Sequence, residues 1–274
     1  MTTSITLTIA GSDSGGGAGI QADIKAISAT GGYACSVITA LTAQNTRGVD
    51  AVMPVPADFV GRQLDSIFGD LAVIAVKIGM LADKDVIATV AAKLHQYQPA
   101  HIVLDPVMVA TSGDHLLAAD AIDSLKQQLL PLADIITPNL PEAAAILGGN
   151  EPSTDAELQT FILRLQQYCG DQHCGHILLK GGHLTSSQQS CDWLIGPQQI
   201  QCFEAQRINT RNTHGTGCTL SAAIASFLAQ GQTMTTAVAS AKHYLTGALQ
   251  AADKLQIGTG HGPVNHFFRQ DTCQ

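Results

Sequence analysis

Asn212-Thr-His-Gly-Thr-Gly-Cys-Thr-Leu-Ser-Ala-Ala-Ile-Ala-Ser-Phe-Leu228 joins a short glycine-rich loop to an alanine-rich apolar helix. The first amides of a helix have no intrahelical partner, and the helix dipole adds partial positive charge there. Gly215 and Gly217 carry no side chain, so those amides are free to close around an anion. Gly215, Thr216, Gly217 and Cys218 therefore read as a phosphate cradle with a thiol at its rim. The same field is expected to favour the thiolate of Cys218 and to lower its pKa below the free value of about 8.5. The competing reading of these four residues is a tight turn with a small buried cysteine. An anion site beside a candidate base is what phosphoryl transfer to an alcohol requires.

On either side of this loop, short β-rich apolar runs alternate with longer amphipathic ones. Strands are expected at Ile5–Ile9, Ala34–Leu41, Ala72–Ile78, Ile102–Leu104, Ile135–Ile136 and His176–Leu179. Helices are expected at Gly19–Thr30, Phe59–Phe68, Asp85–Gln96, Ala119–Leu130, Pro141–Leu147, Asp155–Tyr168, Leu220–Ala229 and Thr235–Leu249. Cys191 to Ile208 reads as two further strands near an edge, around Gly196-Pro197. This order predicts an α/β fold with a mostly parallel sheet covered on both faces. Ligands of such sheets bind at the carboxyl ends of the strands. Gly11, Gly79, Asp105, Asn139 and Lys180 are all expected just past strand ends, on one rim.

The bulk numbers agree. With 274 residues, 45% hydrophobic and only 13% charged, the chain suits one large domain, residues 1–274, with no linker interrupting it. A net charge of -8 without a basic stripe argues against a nucleic-acid partner. No stretch approaches the roughly 20 apolar residues of a membrane span, and the start lacks a basic, apolar leader, so a cytoplasmic location is expected. The seven scattered cysteines are then expected to be free thiols. Cys169 and Cys174 fit no common zinc spacing.

Gly11-Ser-Asp-Ser-Gly-Gly-Gly-Ala-Gly19 stands between the first strand and a helix. It fails the dinucleotide fingerprint, which needs Gly where Ile20 stands, and the P-loop, which needs Lys where Gly17 stands. It suits close backbone approach to some other ligand, or a plain strand-to-helix turn. Asn139-Leu-Pro-Glu142 has the form of a capping box. A carboxylate there is also able to hold Mg2+ through water, and Asp105, before Pro106, is a second candidate. Lys180 directly follows Ile177-Leu-Leu179, which suits a phosphate-facing role better than a solvated one.

Together these segments resemble the hydroxymethylpyrimidine/phosphomethylpyrimidine kinases of thiamine biosynthesis, within the ribokinase-like superfamily. The resemblance runs through Ile9–Asp23, Thr39–Asn45, Lys77–Met80, Leu104–Met108, Thr137–Glu142, Leu179–His183 and Arg211–Cys218, nearly the whole chain and in the family's order. It implies a ribokinase-like three-layer α/β/α sandwich, a homodimer, ATP and Mg2+. It also implies two phosphorylations at one site, first of 4-amino-5-hydroxymethyl-2-methylpyrimidine and then of its monophosphate. By position it makes Gln44 the reader of the pyrimidine edge, with Gly11, Asp23, Met80 and Val107 as pocket neighbours. It makes Cys218 the base, where sugar kinases of the superfamily carry Asp, beside Gly215, Thr216 and Gly217. Lys180, Thr213 and Lys242 become phosphate or nucleotide contacts, and Asp105, Asn139 and Glu142 the Mg2+ neighbourhood. Two other readings stay open, a pyridoxal or pyridoxine kinase and a non-catalytic binding protein on the same fold.

Overall fold

Residues 3–108, 119–171, 173–181 and 189–270 are described by a computed structural model. His183 lies outside them. The first strand, β1 (Ile5–Asp13), runs into α1 (Gly19–Ala29) through the glycine-rich turn. Then follow β2 (Tyr33–Asn45), β3 (Gly48–Pro54), α2 (Ala57–Phe68), β4 (Val73–Ile78), α3 (Lys84–Tyr97), β5 (His101–Leu104) and α4 (Ala119–Gln128). The second half contains β6 (Ile135–Ile136), α5 (Leu140–Leu147), α6 (Asp155–Gly170), β7 (His176–Leu179), β8 (Gln189–Ile195), β9 (Ile200–Gln206), α7 (Thr216–Ala229) and α8 (Met234–Gln250).

All nine strands form one sheet in the order β3-β2-β1-β4-β5-β6-β7-β8-β9. The stretch from β2 to β7 is parallel, and the pairings of β3 and of β8 and β9 at the two edges are antiparallel. Neighbouring side chains on a strand point to opposite faces, so one strand feeds two cores. Val76, Ile78, Ile102 and Leu104 pack with α2 to α6. Ala75, Val103 and Ile135 pack with α1, α7 and α8 on the other face. The expected three layers are the ones found. Among the described residues no helix is long and apolar enough to cross a membrane.

Three expectations change. β3 was not anticipated, because Asp50–Pro54 on this outer strand is exposed and carries no buried apolar pattern. Gly11 lies inside β1 rather than past it, since that strand continues to Asp13 through a register shift between Ala10 and Ser12. Cys191 and Cys202 form a disulfide instead of being free thiols. The antiparallel register pairs Trp193 with Cys202 and Cys191 with Glu204, so the two cysteines are diagonal neighbours on one face, with Cα atoms 6.2 Å apart.

Candidate active site

A cavity of about 840 Å³ lies across the carboxyl ends of the parallel strands. Its walls contain Gly11, Gln44, Met80 and Val107 towards β1 and β2, and Thr213, Lys242 and Leu245 towards α8. Between these ends sit Asp105, Asn139, Glu142, Lys180 and the loop 215–218.

The loop is built around Gly215, which caps α7 with a φ of 80°, a conformation that costs a residue with a Cβ. A Cβ there would also run into the carbonyl oxygen of Gly17. Thr219 Oγ1 donates to the Gly215 carbonyl at 2.8 Å and closes the first turn. The loop's other glycine serves close approach. A Cβ on Gly217 would stand 3.4 Å from both Asp105 Oδ2 and Lys180 Nζ. The loop backbone and the charged cluster thus share one floor.

In that cluster Lys180 Nζ donates to Asp105 Oδ1 at 3.0 Å and lies 3.8 Å from Glu142 Oε2. Thr137 Oγ1 donates to the same Asp105 oxygen at 2.8 Å. Burial alone would raise the Asp105 carboxyl, but Lys180 and Lys77 outweigh it and hold it below the ordinary range. Glu142 differs. Burial pushes its carboxyl up to about 7, against the pull of Lys180. The capping box is complete, with Asn139 Oδ1 accepting from the Glu142 amide and Glu142 Oε2 from the Asn139 amide, both at 2.8 Å. One carboxylate therefore stays charged, while its neighbour titrates near neutrality.

At the other end two glycine-rich loops interlock. Asp13 accepts from the amides of Gly15, Gly17 and Ala18 and lies 2.9 Å from His214 Nε2. An ionised carboxylate only accepts, so His214 Nε2 carries the proton. Against burial, the His214 hydrogen bond and those amides keep Asp13 ionised. Gln44 Nε2 is 3.5 Å from His214 Nε2, and the Gln44 amide faces the same cavity.

Residues 13–265 match the family model described as phosphomethylpyrimidine kinase. The chain belongs to the phosphomethylpyrimidine kinase family. It is 51% identical, over 95% of its length and 96% of the relative, to the hydroxymethylpyrimidine/phosphomethylpyrimidine kinase of Escherichia coli K12. With the enzyme of the same description from Rhizobium meliloti, identity is 52% over 97% of this chain and 98% of the other. Among solved structures, a phosphomethylpyrimidine kinase from Clostridium difficile 630 superposes with a TM-score of 0.77 at 42% identity, covering 89% of this chain and 98% of that one. The ADP complex of a Bacillus subtilis pyridoxal kinase superposes with a TM-score of 0.88 at 32% identity, covering 98% and 99%. The fold is ribokinase-like and the chain is a kinase.

Two expectations about this kinase-family site need correction. Asp23 is not a pocket neighbour. It lies beneath the cavity on α1, fully buried, with Lys77 Nζ 2.8 Å from its Oδ2. Nor is the Cys218 thiol acidified. Burial pushes it up to about 11, despite the pull of Lys77, with Asp23 and Asp105 adding to the rise. A cradle of amides favours a thiolate only where desolvation is weaker than the field, and here it is stronger. Lys242 lines the cavity, but its ammonium is held by Asp192 Oδ2 at 2.6 Å and the Ser190 carbonyl at 3.1 Å.

Sequence reasoning passed over Asp13, His214 and Asp192. Asp13 left a local signal, an acceptor just before a run of glycine amides that it caps. His214 and Asp192 left none, because their partners are 201 and 50 residues away.

Proposed function

We propose that the chain, acting as a single domain, transfers the terminal phosphoryl group of ATP to the hydroxymethyl oxygen of 4-amino-5-hydroxymethyl-2-methylpyrimidine, and then a second one to the monophosphate. The observation that carries this reading is the shared floor, with the Gly217 backbone against Asp105 and Lys180 and Cys218 next in the chain. In the first step the alcohol oxygen bonds to phosphorus, the bond from phosphorus to the bridging oxygen of ATP breaks, and ADP leaves. The alcohol proton passes to Cys218. The amides of Gly215, Gly217 and Cys218 and the Lys180 ammonium face the transferring group, where positioning and electrostatics supply most of the catalysis, while the Thr216 amide donates to the Thr213 carbonyl at 3.3 Å. Gln44 both donates and accepts, which suits an aminopyrimidine edge. Gly11, Met80 and Val107 wall the ring, and Thr213 and Lys242 lie towards the nucleotide.

Asp105 and Glu142 fit Mg2+ of the kind used in phosphoryl transfer, with one or two carboxylates completed by water and substrate phosphates. Among the described residues no group of three or more His, Cys, Asp or Glu forms an all-protein cage. Bound there, the ion would supply charge neutralisation on the phosphates, while Asn139 holds Glu142 in place. ATP dependence suits a cytoplasmic enzyme. Leu41, Val52 and Met53 leave apolar surface exposed on β2 and β3, which suits a homodimer.

A coupled kinase assay with the aminopyrimidine, its monophosphate and pyridoxal, with product masses recorded, tests the reading. The mono- and diphosphates of the pyrimidine should both form. Preference for pyridoxal would move the chain to the second reading, which the pyridoxal kinase superposition favours. ATP hydrolysis without any transfer would sink both. Gln44→Leu should raise KM for the pyrimidine at least tenfold, roughly the cost of one unpaired buried polar group. KM for ATP should stay nearly constant, and an equal rise in both would make Gln44 structural.

Glu142 gives a pH prediction. Its carboxyl ionises near 4.5 when unfolded and near 7 when folded. The folded state therefore holds the extra proton between those values, and stability falls as pH rises across the window. Glu142→Gln keeps the cap and removes the titration. In metal-free buffer the melting temperature of the variant relative to the parent should climb from pH 4.5 to pH 8, by the equivalent of at most roughly 3 kcal/mol. In the assay the same variant should need more Mg2+. A flat stability difference across that range would refute the burial argument.

A further inference from the structure

The backbone of Gln44 is clamped, and its side chain answers to its neighbours. Ser14 Oγ donates to the Gln44 carbonyl at 2.9 Å and accepts from the Gln44 amide at 2.8 Å. At the end of the side chain, Nε2 lies 3.5 Å from His214 Nε2, and Oε1 lies 3.1 Å from Thr42 Oγ1. Both of those neighbours are already committed. His214 Nε2 is 2.9 Å from Asp13 Oδ2, a buried carboxylate that also holds three backbone amides, so the nitrogen carries a proton and gives it to Asp13. Thr42 Oγ1 has one proton to donate, and the Ser12 carbonyl stands 2.9 Å from it. An NH2 group therefore faces an N–H at one end, and two oxygens compete for one proton at the other. A half-turn of the amide about its last bond removes both conflicts. Nε2 then donates to Thr42 Oγ1, whose proton stays with Ser12, and Oε1 faces the His214 N–H. The two ends of an amide have the same shape, so their hydrogen bonds decide between them.

The direction of this amide matters to the ring it reads. In a 4-aminopyrimidine, ring N3 accepts and the adjoining C4 amino group donates. N3 then pairs with Gln44 Nε2, and the amino group pairs with Oε1. The hydroxymethyl group on C5 is next to the amino group, on the side away from N3. With Oε1 towards His214, the hydroxymethyl lies on the side of the loop 215–218, into which His214 leads. With the amide reversed, the same two hydrogen bonds would turn the hydroxymethyl towards Thr42. His214 is itself held firmly. Its amide donates to the Gly262 carbonyl at 3.0 Å, and its ring fills the space over Gly17, where a Cβ would overlap it. Thr42, Gln44 and His214 all line the same cavity.

We propose that Thr42 and His214, the latter held by Asp13, are positioning residues that set the direction of the Gln44 amide. They thereby select a ring with an acceptor nitrogen beside an amino group, and they turn its hydroxymethyl towards the loop 215–218. This rests on Gln44 reading the pyrimidine edge, and a separate variant tests that reading.

The full-length protein is titrated by calorimetry, without nucleotide, with 4-amino-5-hydroxymethyl-2-methylpyrimidine and with its 4-oxo counterpart. The 4-oxo ring reverses the edge, with an N–H at position 3 beside a carbonyl, so it needs the amide the other way round. The parent should bind the amino ring more tightly by roughly tenfold or more, the cost of one mispaired buried polar group. His214→Phe keeps a ring over Gly17 but has no N–H to direct the amide. It should bring the two affinities within about threefold of each other, because the amide is then free to turn. Thr42→Val keeps the branched shape without the hydroxyl and takes the place of His214→Phe if that variant does not fold. A merely structural role would weaken both ligands alike and leave their ratio unchanged. Loss of the preference in the folded variant establishes the proposal, and an unchanged ratio there overturns it. Gln44→Leu should abolish the preference altogether. A preference that survives in Gln44→Leu would refute the reading beneath the proposal, because the edge would then be read by another group.

Discussion

Cys218→Ala should cut formation of the monophosphate by 10²–10⁴-fold, the usual contribution of a positioned base, while sparing most of the monophosphate-to-diphosphate step. The first acceptor is an alcohol, which must lose a proton as it attacks. The second is a phosphate monoester oxygen, with a second pKa near 6, already ionised at pH 7. The amide cradle survives the substitution, because its donors are backbone groups. The height of the thiol adds a second signature. With ionisation near 11, only a small fraction of Cys218 is thiolate at neutral pH, so the first-step rate should climb from pH 7 to pH 9 without a plateau. The alanine variant should lose that slope. Supplying each acceptor separately and comparing the two losses is the decisive measurement. Equal losses would leave Cys218 as part of the anion site or as packing.

Gly215→Ala should behave differently, lowering both steps together by about 10²–10³-fold, the cost of losing preorganised donors to a developing charge. At a φ of 80° a Cβ costs about 1–2 kcal/mol on its own. The larger problem is contact, since the new methyl would meet the Gly17 carbonyl. That contact joins the cradle to the loop that Asp13 and His214 tie down, so relief requires the two loops to part. Under the proposed function both reactions use the same cradle, so neither should escape. The melting temperature should fall as well. Separate-acceptor assays on this variant and on Cys218→Ala form a matched pair. A loss confined to one step in Gly215→Ala would mean that the two phosphorylations do not share one anion site.

Much of this was open to reading along the chain. The alternation of apolar runs marked the six parallel strands and the helices between them, because their periodicity is a local property of side-chain burial. The glycine-led start of α7 was legible for the same reason, since a glycine ahead of an apolar run marks the helix's first turn wherever the helix ends up. The capping box at Asn139 and Glu142 spans three residues and formed as expected. What stayed hidden depended on groups far apart in sequence. Asp23 meets Lys77 across 54 residues, under the cavity rather than in it. Cys191 and Cys202 are brought together by the register of two antiparallel strands that carry no strong pattern. The ionisation of Cys218 was misread in sign. The local field of a helix terminus can be read from neighbours in the chain, but desolvation comes from everything packed around the sulfur, and only the assembled layers set it.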